Sequence, residues 1–416
     1  MTTTNTSLAL AGIRVVECGQ GVAAAFATKL MALLGADVIK VEPPEGDVTR
    51  RRGPFFDNVP DPNLSGLFLY LNADKSGVTL DLHQAGDRER LDTLLARADI
   101  LVHNIPPAER GGIRMDSDAI CRAHPRLLVA GISAFGERGP YADYHAYEIN
   151  AAHGSSMPAT GPGASPFPEL PPLKLFGHQA EYQTGLQAAY TALAAYYYRA
   201  KGGGGQAIDL SEQACLAAMS ESSLIHFTYN GKQASRLGKY GFGPRTVVPC
   251  ADGWVHVNFL EDAQWNHLLE LLGNPEWGHE EVFKDRYARG ANADALDPML
   301  SELTRQWKTI DLYLAAQARR IPIAPLNRAS EAYADEQHRA RGFFAPVPMP
   351  RPAPRVVEVA TAPFKSNGMG FRLERPAAEL GQHNREVFSN GKWSTAASSI
   401  PPTINRAPAN TGPLSG

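Results

Sequence analysis

Between Arg14 and Glu42 the chain carries a strand, a helix and a second strand, and this unit constrains the fold more than any other feature. Arg14–Cys18 is a short β-rich run, and Gly19 and Gly21 supply a turn. Ala23 to Leu34 is rich in helix formers, and Gly35 is placed to end that helix. Asp37–Glu42 then reads as a second buried strand. Two strands joined by one helix in about 30 residues imply a right-handed parallel crossover. The alternation continues with strands at Val78–Leu82, Ile100–His103 and Leu127–Ile132, separated by helices near Arg88–Ala98 and Ser117–Ala123. This predicts an α/β fold with a doubly wound parallel sheet. Glu181–Lys201 follows as a long helix, closed by the turn Gly202–Gly205, and Gln206–Leu210 as a strand.

From about Cys215 the pattern changes. Asp252–Asn258 reads as a hairpin strand with alternating faces, and two or three short helices run through to Ala318, which predicts a smaller α+β domain. Proline rises between Pro346 and Pro354, as expected of an extended segment returning to the main body. The expected division is 1–220 for the first part of a large domain, 221–325 for the small one, 326–390 for the return segment and 391–416 for a linker-like tail. The final Gly412–Gly416 echoes Leu8–Gly12 only as Leu-x-Gly, a match that chance explains better than a second copy.

Apolar residues make up 44% and charged residues 20%, and the net charge is -3. Nothing in that balance calls for nucleic acid or an anionic membrane as partner. Cys18, Cys121, Cys215 and Cys250 lack metal-ligand spacing and read as apolar fillers in a reducing compartment. The first residues show no signal-peptide pattern, and no apolar run approaches the roughly 20 residues of a membrane helix. The expectation is a cytoplasmic protein.

Leu10–Glu17 with FATKLMALLGADVIKVEPPEGDVTR, Asn72–Leu82, Ala98–Asn104, Pro125–Tyr141, Arg199–Glu212, Ala324–Asn327 with Arg341–Phe344, and Leu380–Val387 form a series of segments in register. Together they resemble the class III CoA transferases (formyl-CoA and carnitine type), which are related to the acyl-CoA racemases. The resemblance implies a Rossmann-like large domain built from both chain ends, a small domain from the middle, and a homodimer of interlocked subunits. It also implies coenzyme A, carried as acyl-CoA, and a carboxylic acid as substrates, with no metal or redox cofactor.

CoA transfer between acids needs a nucleophilic carboxylate that passes through a mixed anhydride and an enzyme thioester. The family's nucleophile is an Asp a few residues before a Gly, and the matching position here holds Glu181. Its extra methylene moves the carboxyl by ~1.5 Å. Read without the resemblance, Glu181 is a first-turn carboxylate favoured by the helix dipole. Tyr147 and Glu148 match a pair that lines the transferase active site. The family's Ala-Gly-Pro loop is altered here, and the matching CoA contacts are Gly21, Val22 and Ala23, with Asn104 on the adenosine and pantetheine path. Arg110 is either a phosphate contact or a solvated charge, and Arg50 to Arg52 read more simply as a solvated loop. Lys40 reads as an ordinary strand-end lysine. No G-x-G-x-x-G is present, which argues against a dinucleotide. Gly238–Gly243 is a candidate loop over the site, and Trp254 and Tyr196–Tyr198 read as core or interface aromatics.

Two other functions fit the same residues. A racemase would need a second base; its His is replaced by Tyr147, although His145 and His153 lie nearby in sequence. A non-catalytic half of a tandem protein would explain the Glu at 181 and the altered loop.

Overall fold

Val15 and Val16 face opposite sides of one strand and both are fully buried, so both faces of the sheet are covered. The computed structural model describes residues 8–160, 170–233, 243–259, 261–350 and 356–393. Six parallel strands form one sheet: β1 (Arg14–Cys18), β2 (Asp37–Glu42), β3 (Ser76–Thr79), β4 (Ile100–His103), β5 (Leu128–Ser133) and β6 (Gln206–Ser211). Their order is β3-β2-β1-β4-β5-β6. The strand order reverses between β1 and β4, which is where open α/β sheets bind ligands at the strands' carboxyl ends.

The helices of this unit are α1 (Ala23–Leu33), α2 (Gly66–Asn72), α3 (Ala85–Leu95), α4 (Pro107–Ile113), α5 (Ser117–Ala123), α6 (Glu148–Gly154), α7 (Met157–Thr160), α8 (Gln179–Ala200), α9 (Glu212–Met219) and α10 (Glu221–Asn230). Alanines of α1 and α8 cover one face of the sheet with Val15, Val38 and Ile100. Leu91 and Leu94 of α3 and Ile120 of α5 cover the other with Val16, Ile39 and Leu101. α8 crosses α1 so closely that a Cβ on Gly185 would lie 2.5 Å from the Ala23 carbonyl oxygen. Only glycine permits that approach.

β1, β2, β4 and α5 have the expected bounds. β3 lies earlier than the expected Val78–Leu82, because β2 ends at Glu42 before Pro43 and Pro44 and offers residues 80–82 no continuing ladder. α8 starts two residues before the expected Glu181. Gly202 adopts φ +102 just beyond α8, so the glycine run ends the helix.

Contacts divide the chain into two compact units. One holds Met1–Ala159, Pro172–Ala234 and Arg339–Gly416; the other holds Thr160–Pro171 and Ser235–His338. The second therefore runs from 235 to 338, where 221–325 was expected. It contains an antiparallel sheet of β7 (Arg245–Pro249), β8 (Trp254–Asn258) and β9 (Ile323–Pro325). Among the described residues up to Ala318 four α-helices accompany it, α11 (Asp262–Leu271), α12 (Arg286–Ala291), α13 (Ala293–Thr304) and α14 (Thr309–Gln317), where two or three were expected, and α15 (Ala329–Ala334) follows. Val255, Val257, Trp265, Leu268 and Leu296 are in its core.

In the first unit the C-terminal segment is tied to the β3 edge. Asp74 accepts from the Glu374 and Arg375 amides, and the Thr79 amide donates to Asn384. Cys18, Cys215 and Cys250 are buried and Cys121 is half-buried; none is in a disulfide. Among the described residues no helix is long and apolar enough to cross a membrane. The tail from residue 394, the Gly412–Gly416 echo and Gly238 to Phe242 lie outside the described residues.

Candidate active site

The loop after β1 turns at Gly21, whose φ of +79 needs glycine. Asn104, just beyond β4, clamps this loop: its Oδ1 accepts from the Gln20 amide at 2.9 Å and its Nδ2 donates to the Gln20 carbonyl at 2.5 Å. The register that sets Cys18 opposite His103 places Asn104 there. Asp47 accepts from the Gly21 amide at 3.3 Å. Beneath it lies a buried ion network. Lys40 Nζ is 2.6 Å from Glu17 and 2.8 Å from Asp47, and Lys75 Nζ is 2.8 Å from the other Glu17 oxygen. Burial pushes the Glu17 carboxyl up, but Lys40 and Lys75 outweigh it and hold it at about 2.

Two clefts meet over this loop. The first, of 750 Å³, has Gly19 to Gly21, Pro43, Pro44, Asp81 and Glu109 among its walls. The second, of 650 Å³, has Phe135, Tyr144, His145, Lys174 and Glu212. Arg52, Asn104, Tyr147 and Glu181 line both.

Glu181 sits in the first turn of α8, with one carboxylate oxygen near Gly21: a Cβ on Gly21 would lie 3.3 Å from Glu181 Oε1. Its other oxygen is 2.7 Å from Nδ1 of His178, the residue that precedes α8. Glu148, first in α6, accepts from the Ala180 amide at 3.0 Å and so satisfies a donor that α8 leaves open. Its second oxygen is 3.0 Å from Lys174 Nζ and 4.0 Å from His178 Nδ1. Glu148, His178 and Glu181 offer atoms within 4.8 Å of one another, a spacing a cation could bridge. The cation held against Glu148 is the Lys174 ammonium.

The hydrogen bond to Glu181 raises the His178 pKa, burial opposes it, and the charges of Glu181 and Glu148 add to the rise. Burial, and then the charges of Glu181 and Glu148, push the Glu212 carboxyl up to about 8. Glu212 is therefore protonated at neutral pH beside two ionisable carboxyls.

The residues singled out in the sequence divide. Glu181, Glu148, Tyr147, Gly21 and Asn104 come together, and Tyr147 is 82% exposed. The Val22 and Ala23 side chains are fully buried, so any ligand contact they make must come through the main chain. Arg110 lines neither cleft. Its guanidinium is buried against the Ile105 carbonyl and the Glu137 carboxylate, which corrects the phosphate-contact expectation. Arg50 is no solvated charge either; it is fully buried, bonds both Glu42 oxygens at 2.7 Å and lies over the Phe68 ring. Lys40 is likewise buried in the network and not an ordinary strand-end lysine. His153 faces the Ile149 and Pro172 carbonyls, whereas His145 lines the second cleft. Trp254, Tyr197 and Tyr198 are exposed, and Tyr196 packs on the core.

Sequence reasoning gave no role to His178, Lys174 or Glu212. The one available signal was His178 three residues before a first-turn carboxylate, the i,i+3 spacing of neighbours on a helix.

Residues 10–384 match CoA-transferase family III. The chain is 30% identical over 386 residues to the succinate–glutarate CoA-transferase of Agrobacterium fabrum, covering 91% of this chain and 95% of that one. It is 29% identical over 409 residues to the formyl-CoA:oxalate CoA-transferase of Streptomyces coelicolor, covering 92% and 95%. A crystal structure of a CAIB/BAIF family protein from Brucella suis matches with a TM-score of 0.81 at 28% identity, covering 93% of this chain and 99% of that one. The chain belongs to CoA-transferase family III and is a CoA transferase.

Proposed function

We propose that the enzyme moves CoA from an acyl-CoA to a second carboxylic acid, with Glu181 as nucleophile. The observation that carries this is the place of Glu181 in a wall common to both clefts, with one carboxylate oxygen beside Gly21. The cleft along Gly19 to Gly21 and Asn104 takes CoA, and the cleft along Tyr147, Lys174 and Arg52 takes the acid. Glu181 attacks the acyl carbon, the C–S bond breaks and CoA leaves as thiolate. The thiolate then attacks Glu181 Cδ, the bond to the bridging oxygen breaks, and the donor acid departs, leaving a thioester. The acceptor carboxylate runs the same steps in reverse order, regenerating the Glu181 carboxylate.

The acids are dicarboxylates. Relatives named for succinate, glutarate and oxalate support this, as does Arg52 in the second cleft, able to meet a distal carboxylate. The enzyme is an interlocked, cytoplasmic homodimer. Apolar side chains left exposed on α8 and α10, including Tyr190, Ile225, Phe227 and Tyr229, support a subunit contact. Light scattering checks that state: a dimer that persists on dilution is expected, and a monomer at low micromolar concentration contradicts it.

Hydroxylamine tests the nucleophile. With succinyl-CoA present it should inactivate the wild type by capturing acyl-Glu181, and it should add nothing to Glu181→Gln. Full protection of the wild type would sink the proposal.

A further inference from the structure

Glu181 Oε2 has a built partner, and the reaction gives that oxygen a particular fate. Suppose Oε1 attacks the donor, as its position beside Gly21 favours. Oε1 then becomes the bridging oxygen of the anhydride and departs with the donor acid. Oε2 stays on the enzyme as the carbonyl oxygen of both the anhydride and the thioester. When thiolate or acceptor carboxylate adds to Glu181 Cδ, the carbonyl π electrons move onto Oε2, which becomes the oxyanion of the tetrahedral intermediate. They return when the Cδ–O or Cδ–S bond breaks. No proton need be transferred.

His178 Nδ1 lies 2.7 Å from Oε2. A carboxylate only accepts, so Nδ1 carries the hydrogen. A donor fixed at the atom where charge develops is what an oxyanion hole supplies. Glu148 is 4.0 Å from the same nitrogen, and its own oxygens are engaged by the Ala180 amide and Lys174. Lys174 also donates to the Gly177 carbonyl at 2.5 Å, which braces the turn bearing His178.

Building on Glu181 as nucleophile, we propose that His178 is a catalytic residue, the oxyanion donor for every step at Glu181 Cδ.

The test runs many turnovers with succinyl-CoA and succinate labelled with oxygen-18 in both carboxylates, followed by peptide mass spectrometry. Each cycle removes Oε1 with the departing acid and replaces it with an acceptor oxygen. The wild type should gain heavy oxygen in the peptide bearing Glu181, the mark of Glu181 as nucleophile. In His178→Ala kcat should fall about 10²-fold or more with KM for succinyl-CoA unchanged. His178→Asn puts an amide nitrogen near the Nδ1 position and should recover most of that loss; His178→Gln, which reaches farther, should not. Wild-type kcat in a folded His178→Ala enzyme would overturn the proposal, and so would a His178→Asn enzyme no faster than His178→Gln. No heavy oxygen in that wild-type peptide would instead remove Glu181 as nucleophile.

Discussion

Two clusters of charged side chains stand on either side of Gly21. On one side Asp47 holds the Gly21 amide, and Glu17, Glu42 and Asp47 meet Lys40, Lys75 and Arg50 in a fully buried network. On the other side Glu148, Glu181 and Glu212 share the half-exposed cleft wall with Lys174 and His178. The first cluster pairs three acids with three bases. The second pairs Glu148 with Lys174 and Glu181 with His178, and leaves Glu212 to hold a proton. Paired and dry, the first can only hold the loop in place. The second keeps a carboxylate within reach of ligand. The difference separates a scaffold from a reactive site built of the same residue types.

Four substitutions would break or sharpen that contrast. Glu181→Gln should lower kcat by at least about 10³-fold, because an amide cannot form the anhydride, while leaving the unfolding midpoint near the wild type. Lys40→Met should act the opposite way. Stranding Glu17 and Asp47 without their shared cation should cost about 3–5 kcal/mol in urea unfolding. Equal stability would show that the network does not hold the loop. Asn104→Ala removes two hydrogen bonds to Gln20, worth about 1 kcal/mol each, so KM for acyl-CoA should rise roughly tenfold with a smaller change in kcat. Glu212→Gln should show itself in pH dependence. The folded protein binds the Glu212 proton more tightly than the unfolded chain, so this group's contribution to stability is complete below 4.5 and is lost as pH rises through about 8. The wild type should lose melting temperature across that window, and the variant should lose less. KM for the acceptor acid should rise above about pH 8 in the wild type, as a third negative charge enters the cleft, and stay level in the variant.

Much of the fold was legible because its signals are local. Arg14–Cys18, Asp37–Glu42 and Ile100–His103 are short apolar runs bounded by turn residues, and each is a strand of the sheet as read. Charge placement was not legible, because it depends on partners far apart in sequence. Arg50 looks like part of a solvated triplet until Glu42 folds back under it, and Lys40 draws its partners from β1 and from the segment after β2. Arg110 fails as a phosphate contact for the same reason: Glu137, 27 positions on, claims it. The nucleophile position was legible only through resemblance. Nothing local distinguishes Glu181 from any first-turn glutamate, and Glu212 looks the same at the start of α9.

Borohydride trapping tests the central claim most directly. A thioester on a glutamate is reduced to a primary alcohol, a permanent mark that peptide mapping can place. After incubation with succinyl-CoA, reduction should convert Glu181 alone and spare Glu148 and Glu212. A mark on either of those two, or none on any carboxyl group while transfer proceeds, would contradict the account.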